Sequence, residues 1–196
     1  MSQKKRVAMN TNDSRVSRSR ARLIEAGKEL LMKNPKASLK EVAEVAGVGR
    51  ATLYRHFETR EELILEIARE CFKLTSQVLR PIYTDCKLSA REKVRRGLEA
   101  LMPLADSYHF LLSLWNIAEG DLEVLAYYGQ QMDDLTSLIE QAQKDGDIRK
   151  DLSIEWISSI IDAQVYSAWW LIGQGQASVE QAAGFAVTSL FEGINA

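Results

Sequence analysis

The sequence predicts an all-α protein: an N-terminal three-helix domain carrying a helix-turn-helix, followed by a longer helical body. Three observations carry that prediction. Apolar residues recur three and four positions apart, and no alternating strand pattern competes with them. Helix-start signals, a Ser or Thr followed three residues later by Glu or Gln, stand at Ser38, Thr59, Ser89 and Ser178. The chain of 196 residues holds only 3 prolines, which suits long helices.

The opening segment, MSQKKRVAMNTNDSR, is expected to be a flexible basic tail over residues 1–14, in which Lys4, Lys5 and Arg6 either act as a minor-groove arm or only solubilise the chain. Residues 15–62 form the expected helix-turn-helix domain. Its first helix, Ser17 to Asn34, places Leu23, Ile24, Leu30 and Leu31 on one stripe, and Gly27 in its interior leaves room for another helix to pack close. The second begins at Ser38, capped reciprocally with Glu41, buries Leu39, Val42, Ala43 and Ala46, and stops at Gly47. Only Val48 and Gly49 separate it from a short third helix, a connection that holds the two at a steep angle.

In that short helix Leu53 and Phe57 are four apart and point inward, with Val48 beneath them. At about 100° per residue, Ala51, Thr52 and Arg55 point outward, flanked by Tyr54 and His56. Each exposed group has a use on a duplex. Arg50 and Arg55 carry donor forks for guanine, Thr52 suits a base edge or phosphate, and Ala51 admits a thymine methyl. Tyr54, His56 and Arg60 suit phosphate oxygens, and Ser38, Lys40 and Gly49 border the same surface. The next helix starts at Thr59 with Glu62 as a further capping box.

The string GVGRATLYRHFETREEL closely resembles the recognition segment of the tetracycline-repressor (TetR) family, matching at Gly47, Val48, Thr52, Leu53, Tyr54, His56, Phe57, Glu61 or Glu62, and Leu63. Gly49 stands where that family often has a capping Ser, and Arg60 where it often has Lys. The resemblance implies a double-stranded DNA operator as partner. It also implies a C-terminal domain that binds a small-molecule effector among its middle helices and dimerises through its last two. Dimerisation follows physically as well, because one short helix covers too few base pairs and a two-fold pair places two readers a DNA turn apart.

Residues 63–196 form the expected regulatory and dimerisation domain. Ile64, Ile67, Cys71, Leu74, Val78 and Ile82 mark a helix ending or kinking near Pro81. Further helices are expected from Ser89 to Pro103, around Tyr108 to Trp115, over Asp121 to Asp145, from Ser153 to Ile172, and from Ser178 to Glu192. The expected dimer residues are Ile157, Ile160, Ile161, Gln164, Ala168, Phe185, Thr188 and Phe191. Candidate ligand-pocket residues are Tyr108, Phe110, Trp115, Asn116, Tyr127, Tyr128, Gln131, Trp156, Gln164, Tyr166, Trp169 and Trp170, aromatic walls with polar handles. The same residues equally suit core and dimer packing.

Charge and chemistry bound the function. Residues 1–64 carry 14 Lys plus Arg against 8 Asp plus Glu, whereas residues 65–196 carry 11 against 19, so a net charge of −2 conceals a cationic N-terminal domain. His56 and His109 have no metal or triad partners in sequence, and Cys71 and Cys86 are isolated thiols, expected to pack inertly. No cofactor, no metal and no catalysis are expected. With no apolar signal core and no spanning segment, a cytoplasmic bacterial regulator is expected, most simply a homodimeric repressor released from a palindromic operator by an effector. A body that recruits a protein instead of a small molecule remains the alternative.

Overall fold

A computed structural model of the chain describes residues 3–193, with side chains from residue 15 onward. All described elements are helical: α1 (Gln3–Lys33), α2 (Leu39–Ala46), α3 (Arg50–His56), α4 (Arg60–Tyr83), α5 (Ala90–Leu101), α6 (Ala105–Ser113), α7 (Trp115–Ala118), α8 (Leu122–Asp145), α9 (Ile154–Gly173) and α10 (Val179–Phe191). A 3-10 turn at Met102–Leu104 carries Pro103 and joins α5 to α6. Two compact units result, Met1–Ala68 with Ser113–Asp121, and Arg69–Leu112 with Leu122–Ala196. The first helix starts earlier than the expected Ser17 and takes in most of the segment expected as a tail, since neither proline nor glycine interrupts it before Gly27. The side chains of residues 1–14 lie outside the described residues, and the expected arm of Lys4, Lys5 and Arg6 with them.

In the first unit α1 packs on α2 and α3 around Leu23, Ala26, Leu31, Val42, Ala46, Leu53 and Phe57, all buried. Leu30, expected in this stripe, is only half-buried, because Ala26 and Gly27 occupy the centre of the contact face. A methyl at Gly27 would lie 3.1 Å from both Leu63 Cδ2 and Ile67 Cδ1, so α1 and α4 approach closely here, as the sequence suggests.

The second unit has its core at Leu98, Met102, Ile139, Ile157, Ile161, Val165 and Ala168. Along α4 the expected stripe continues through Cys71 but not to Leu74, which is exposed. Thr75 and Leu79 take the inward face instead, one position further on at each step. Thr75 is tolerated there because its hydroxyl donates to the Cys71 carbonyl at 2.9 Å. Pro81 sits in the last turn of α4, which continues to Tyr83. The third capping box is only half made. Glu92 N–H donates to Ser89 Oγ at 3.2 Å, but the Glu92 carboxylate accepts from Arg95 and Arg96, each at 2.6 Å, which hold its pKa down to about 2. At Ser178 and Gln181 the box is complete, with bonds of 3.2 and 2.9 Å.

Two glycines in one turn are expected to respond oppositely to substitution. Gly47 is left-handed at φ 61°, so Gly47→Ala should destabilise the chain by about 1–2 kcal/mol. Gly49 has φ −66° and open space around its missing Cβ, so Gly49→Ser should be neutral or stabilising by a few tenths of a kcal/mol. Urea denaturation of both variants checks the pair.

Candidate nucleic-acid interface

The turn between α2 and α3 is built from backbone hydrogen bonds. Ser38 N–H donates to Glu41 Oε2 at 2.7 Å and Glu41 N–H returns to Ser38 Oγ at 3.3 Å, closing the start of α2 and lowering the Glu41 pKa. At its end Val48 N–H reaches Ala43 O at 2.9 Å and Gly47 N–H reaches Glu44 O at 3.1 Å, a Schellman closure that only a left-handed residue completes without strain. Gly49 offers no side chain to cap α3. The helix starts on the Gly49 carbonyl, which accepts from Thr52 and Leu53 N–H at 2.9 and 3.0 Å.

Leu53 is wholly buried and Phe57 nearly so, while Val48 is half-buried at their edge. The opposite face presents Arg50, Ala51, Tyr54 and Arg55 to solvent, with Thr52 half-buried beside them. The Arg50 guanidinium lies 5.6 Å from the Tyr54 ring centroid, and Tyr54 keeps 44% of its surface exposed. Lys40 projects from α2 and pairs loosely with Glu44 at 3.7 Å. Ser38 lies exposed at the start of the same helix.

Two expected phosphate anchors are engaged inside the unit instead. His56 Nε2 is 2.8 Å from Ser19 Oγ. The single Ser19 hydroxyl proton goes to Val16 O at 2.9 Å, so the imidazole N–H donates to Ser19. Burial, and then Arg55 and Arg20, push the His56 pKa down, which keeps the ring neutral. Arg60 donates through Nε to Ala37 O at 2.9 Å and through a second guanidinium nitrogen to Pro35 O, clamping the α1–α2 turn onto the start of α4. The planar guanidinium explains the placement of Arg60, since one fork satisfies two carbonyls at once.

Arg20 is a residue that sequence reasoning missed. Its guanidinium lies 5.6 Å from the Phe57 ring and 2.7 Å from Glu66 Oε1, so it covers the C-terminal anchor of α3. Its position three residues before Leu23, on the same face of α1, is the signal that points to it.

The dimer and ligand residues divide differently from expectation. Ile157, Ile161 and Ala168 lie in the chain's own core, as α9 turns that stripe toward α5 and α10. Ile160, Gln164 and Phe191 are half-buried, and Thr188 and Phe185 are exposed, Phe185 by 57%. Among the aromatics, Phe110 is core, while Trp156 and Trp170 are 58% and 51% exposed on the outer face of α9. Tyr127 stacks on Phe72 at 6.5 Å, and Gln131 donates to Phe72 O and Ser76 Oγ at 3.1 and 3.0 Å. Tyr128 is exposed on α8, and Trp115 and Asn116 belong to the Ser113–Asp121 segment of the other unit. The structure brings together Tyr108, Tyr166 and Trp169, and adds His109 and Asp162 to them.

A capped helix, a two-residue turn and a short helix with a cationic outer face make up a helix-turn-helix, the motif of one class of DNA-binding proteins. Residues 23–67 match the family of bacterial regulatory proteins described as the tetR family. The chain is 30% identical over 112 residues to the HTH-type transcriptional repressor LfrR of Mycolicibacterium smegmatis, a stretch that is 57% of this chain and 58% of that protein. The match therefore spans somewhat over half the length of that curated relative.

Solved structures agree on the fold. LfrR from Mycobacterium smegmatis in complex with proflavine superposes with a TM-score of 0.69 at 22% identity, covering 92% of this chain and 98% of that one. The ketosteroid transcriptional regulator KstR2 of Mycobacterium tuberculosis gives a TM-score of 0.77 at 18% identity, covering 90% and 95%. AibR in complex with isovaleryl coenzyme A and operator DNA gives 0.73 at 20% identity, covering 89% and 98%. Over residues 23–67 the chain is thus similar to the tetR family of bacterial regulatory proteins, and its fold along most of its length is that of these solved regulators. No helix among the described residues is long and apolar enough to cross a membrane.

The Arg60 clamp is testable apart from DNA. Arg60→Ala should lower stability by about 1–3 kcal/mol, since it removes two charge-assisted bonds to carbonyls. Arg60→Lys should recover less than half of that loss, because an ammonium cannot span both acceptors. Equal stability of all three proteins in urea would refute the clamp.

Proposed function

We propose that this chain is a homodimeric repressor that reads a palindromic operator through α3 and leaves it when a small molecule binds its C-terminal unit. The observation that carries the reading is the outer face of α3: Arg50, Ala51, Thr52 and Arg55 stand over a helix anchored from below by Leu53 and Phe57. Two forked cations, a hydroxyl and a methyl match the donor, acceptor and methyl groups on base edges in the major groove. Tyr54 sits at the edge of this face, placed to meet a phosphate oxygen. Arg60 and His56 are held by bonds within the unit, and in this reading they support α3 from below.

The reading of the body draws on relatives. LfrR carries the word repressor in its name, its structure holds proflavine, and AibR holds both a coenzyme A thioester and operator DNA. The same division of labour is proposed here. A dimer surface fits the outer faces of α9 and α10, where Ser159, Ala163, Ser167, Phe185 and Thr188 are exposed and largely small or apolar. An effector acts by binding one arrangement of the helices better than another, so operator affinity falls by the ratio of those two affinities.

Selection of bound sequences from a random DNA pool tests the reading, and a palindromic consensus is the expected result. On that consensus Arg55→Ala should lose about 1–3 kcal/mol of affinity and relax preference at one base position, with random-sequence binding little changed. Equal losses on both DNAs would make Arg55 a phosphate contact. Phe185→Glu should convert the dimer to monomer in light scattering at micromolar concentration and abolish tight operator binding with it.

A further inference from the structure

Inside the second unit, α6 and α9 meet along a seam that holds a carboxylate without a cation. Asp162 accepts a hydrogen bond from the Tyr108 hydroxyl, and among the described residues no lysine or arginine pairs with it. Its burial raises its pKa, with the Tyr108 bond pulling the other way, and burial and the neighbouring carboxylate raise that of Tyr108. Burial thus favours the neutral acid, and a cation brought beside it would favour the carboxylate.

The surroundings are aromatic. Asp162, Tyr166 and Trp169 follow at i, i+4 and i+7, one edge of α9. Across the seam His109 stacks on the Trp169 indole at 3.4 Å with the rings 6° from parallel, and Tyr166 lies 5.6 Å from the same indole. The charge next to His109 is again negative, from Asp106. A carboxylate on the same edge of α9 as a tyrosine and a tryptophan attracts a soft, apolar cation and repels an anion of the same shape.

We infer that the α6–α9 seam is the effector site of this regulator and that its ligand is an aromatic organic cation, whose charge pairs with Asp162 and whose rings lie against Tyr166 and Trp169. This rests on the reading that a small molecule binds the C-terminal unit. It goes beyond it by naming the site and the charge of the ligand. Tyr108 is the positioning residue, holding the carboxylate toward the seam.

Tetraphenylphosphonium and tetraphenylborate, of nearly one shape and opposite charge, test it. Full-length protein titrated with each, read by tryptophan fluorescence, should bind the cation on the order of tenfold more tightly or better. Asp162→Asn, which keeps the volume and an acceptor for Tyr108, should lose that preference while retaining operator binding as proof of folding. Tyr166→Leu, at a position 45% exposed, should weaken the cation without affecting the fold. Equal binding of the two ions, or unchanged cation affinity in Asp162→Asn, overturns the inference. Release of the operator by neutral or anionic compounds that ignore Asp162 would overturn it too, yet leave the effector reading standing. Loss of both readings requires a library of mixed charge in which no compound releases the operator.

Discussion

Burial of Leu53 and Phe57 is the constraint on which the DNA-facing surface depends. A helix of 7 residues is far below the length of roughly 12–15 at which isolated helices become even marginally stable in water. α3 therefore exists because its two anchors are packed beneath it, against a core of Leu23, Val42 and Ala46. Four residues separate the anchors, so they fix both the tilt of the helix and its rotation about its own axis. Rotation by one residue, about 100°, would carry Arg55 off the outer face. The placement of every outward group of α3 is thus a consequence of two apolar contacts made on the far side.

The cations of this unit divide by what surrounds them. Arg20 and Arg60 are spent inward, on a phenylalanine face, a glutamate and two backbone carbonyls that close the α1–α2 turn. Arg50 and Arg55 are left outward, where the nearest ring, that of Tyr54, limits the motion of Arg50 without neutralising it. Such a division lets the unit carry an excess of positive charge without repelling itself apart, because the inward guanidiniums are each matched by an acceptor. His56 completes the pattern: kept neutral, it bonds to Ser19 and adds no further charge at the end of α3.

These distinctions also mark what a sequence can and cannot express. Ser38, Gly47 and the pair Leu53 and Phe57 were legible because caps, left-handed turns and apolar spacing are local, and the structure repeats them residue for residue. The stripe of α4 was legible only to Cys71. Beyond it the inward face moved to Thr75 and Leu79, since a hydroxyl bonded to its own helix passes for apolar once its donor is satisfied. The intramolecular bonds of Arg60 and His56 were not legible because their partners, Pro35, Ala37 and Ser19, are 23 to 37 residues away, and no periodicity encodes such a bond. α9 carries apolar or aromatic residues on most of its circumference, so hydrophobicity could not say which side faced the core. Ile157, Ile161 and Ala168 went inward and Trp156 and Trp170 outward.

Asp162 breaks the local rules of its helix more plainly than any other residue in the second unit. An apolar side chain there would pack against α6 at no electrostatic cost, whereas a carboxylate half out of water is stabilised only by one phenol. Sequences that are consistent at every other level tend to depart from consistency where function demands it. On the proposed reading the cost of holding that carboxylate without a counter-ion is recovered when a cation binds, and more fully in the arrangement of α6 and α9 that holds the cation better. A difference in affinity of this kind between two arrangements would couple the charge of Asp162 to operator binding. A coupling of 1–3 kcal/mol, the usual scale for allosteric proteins, is no larger than one charge-assisted contact in a partly dry site can supply.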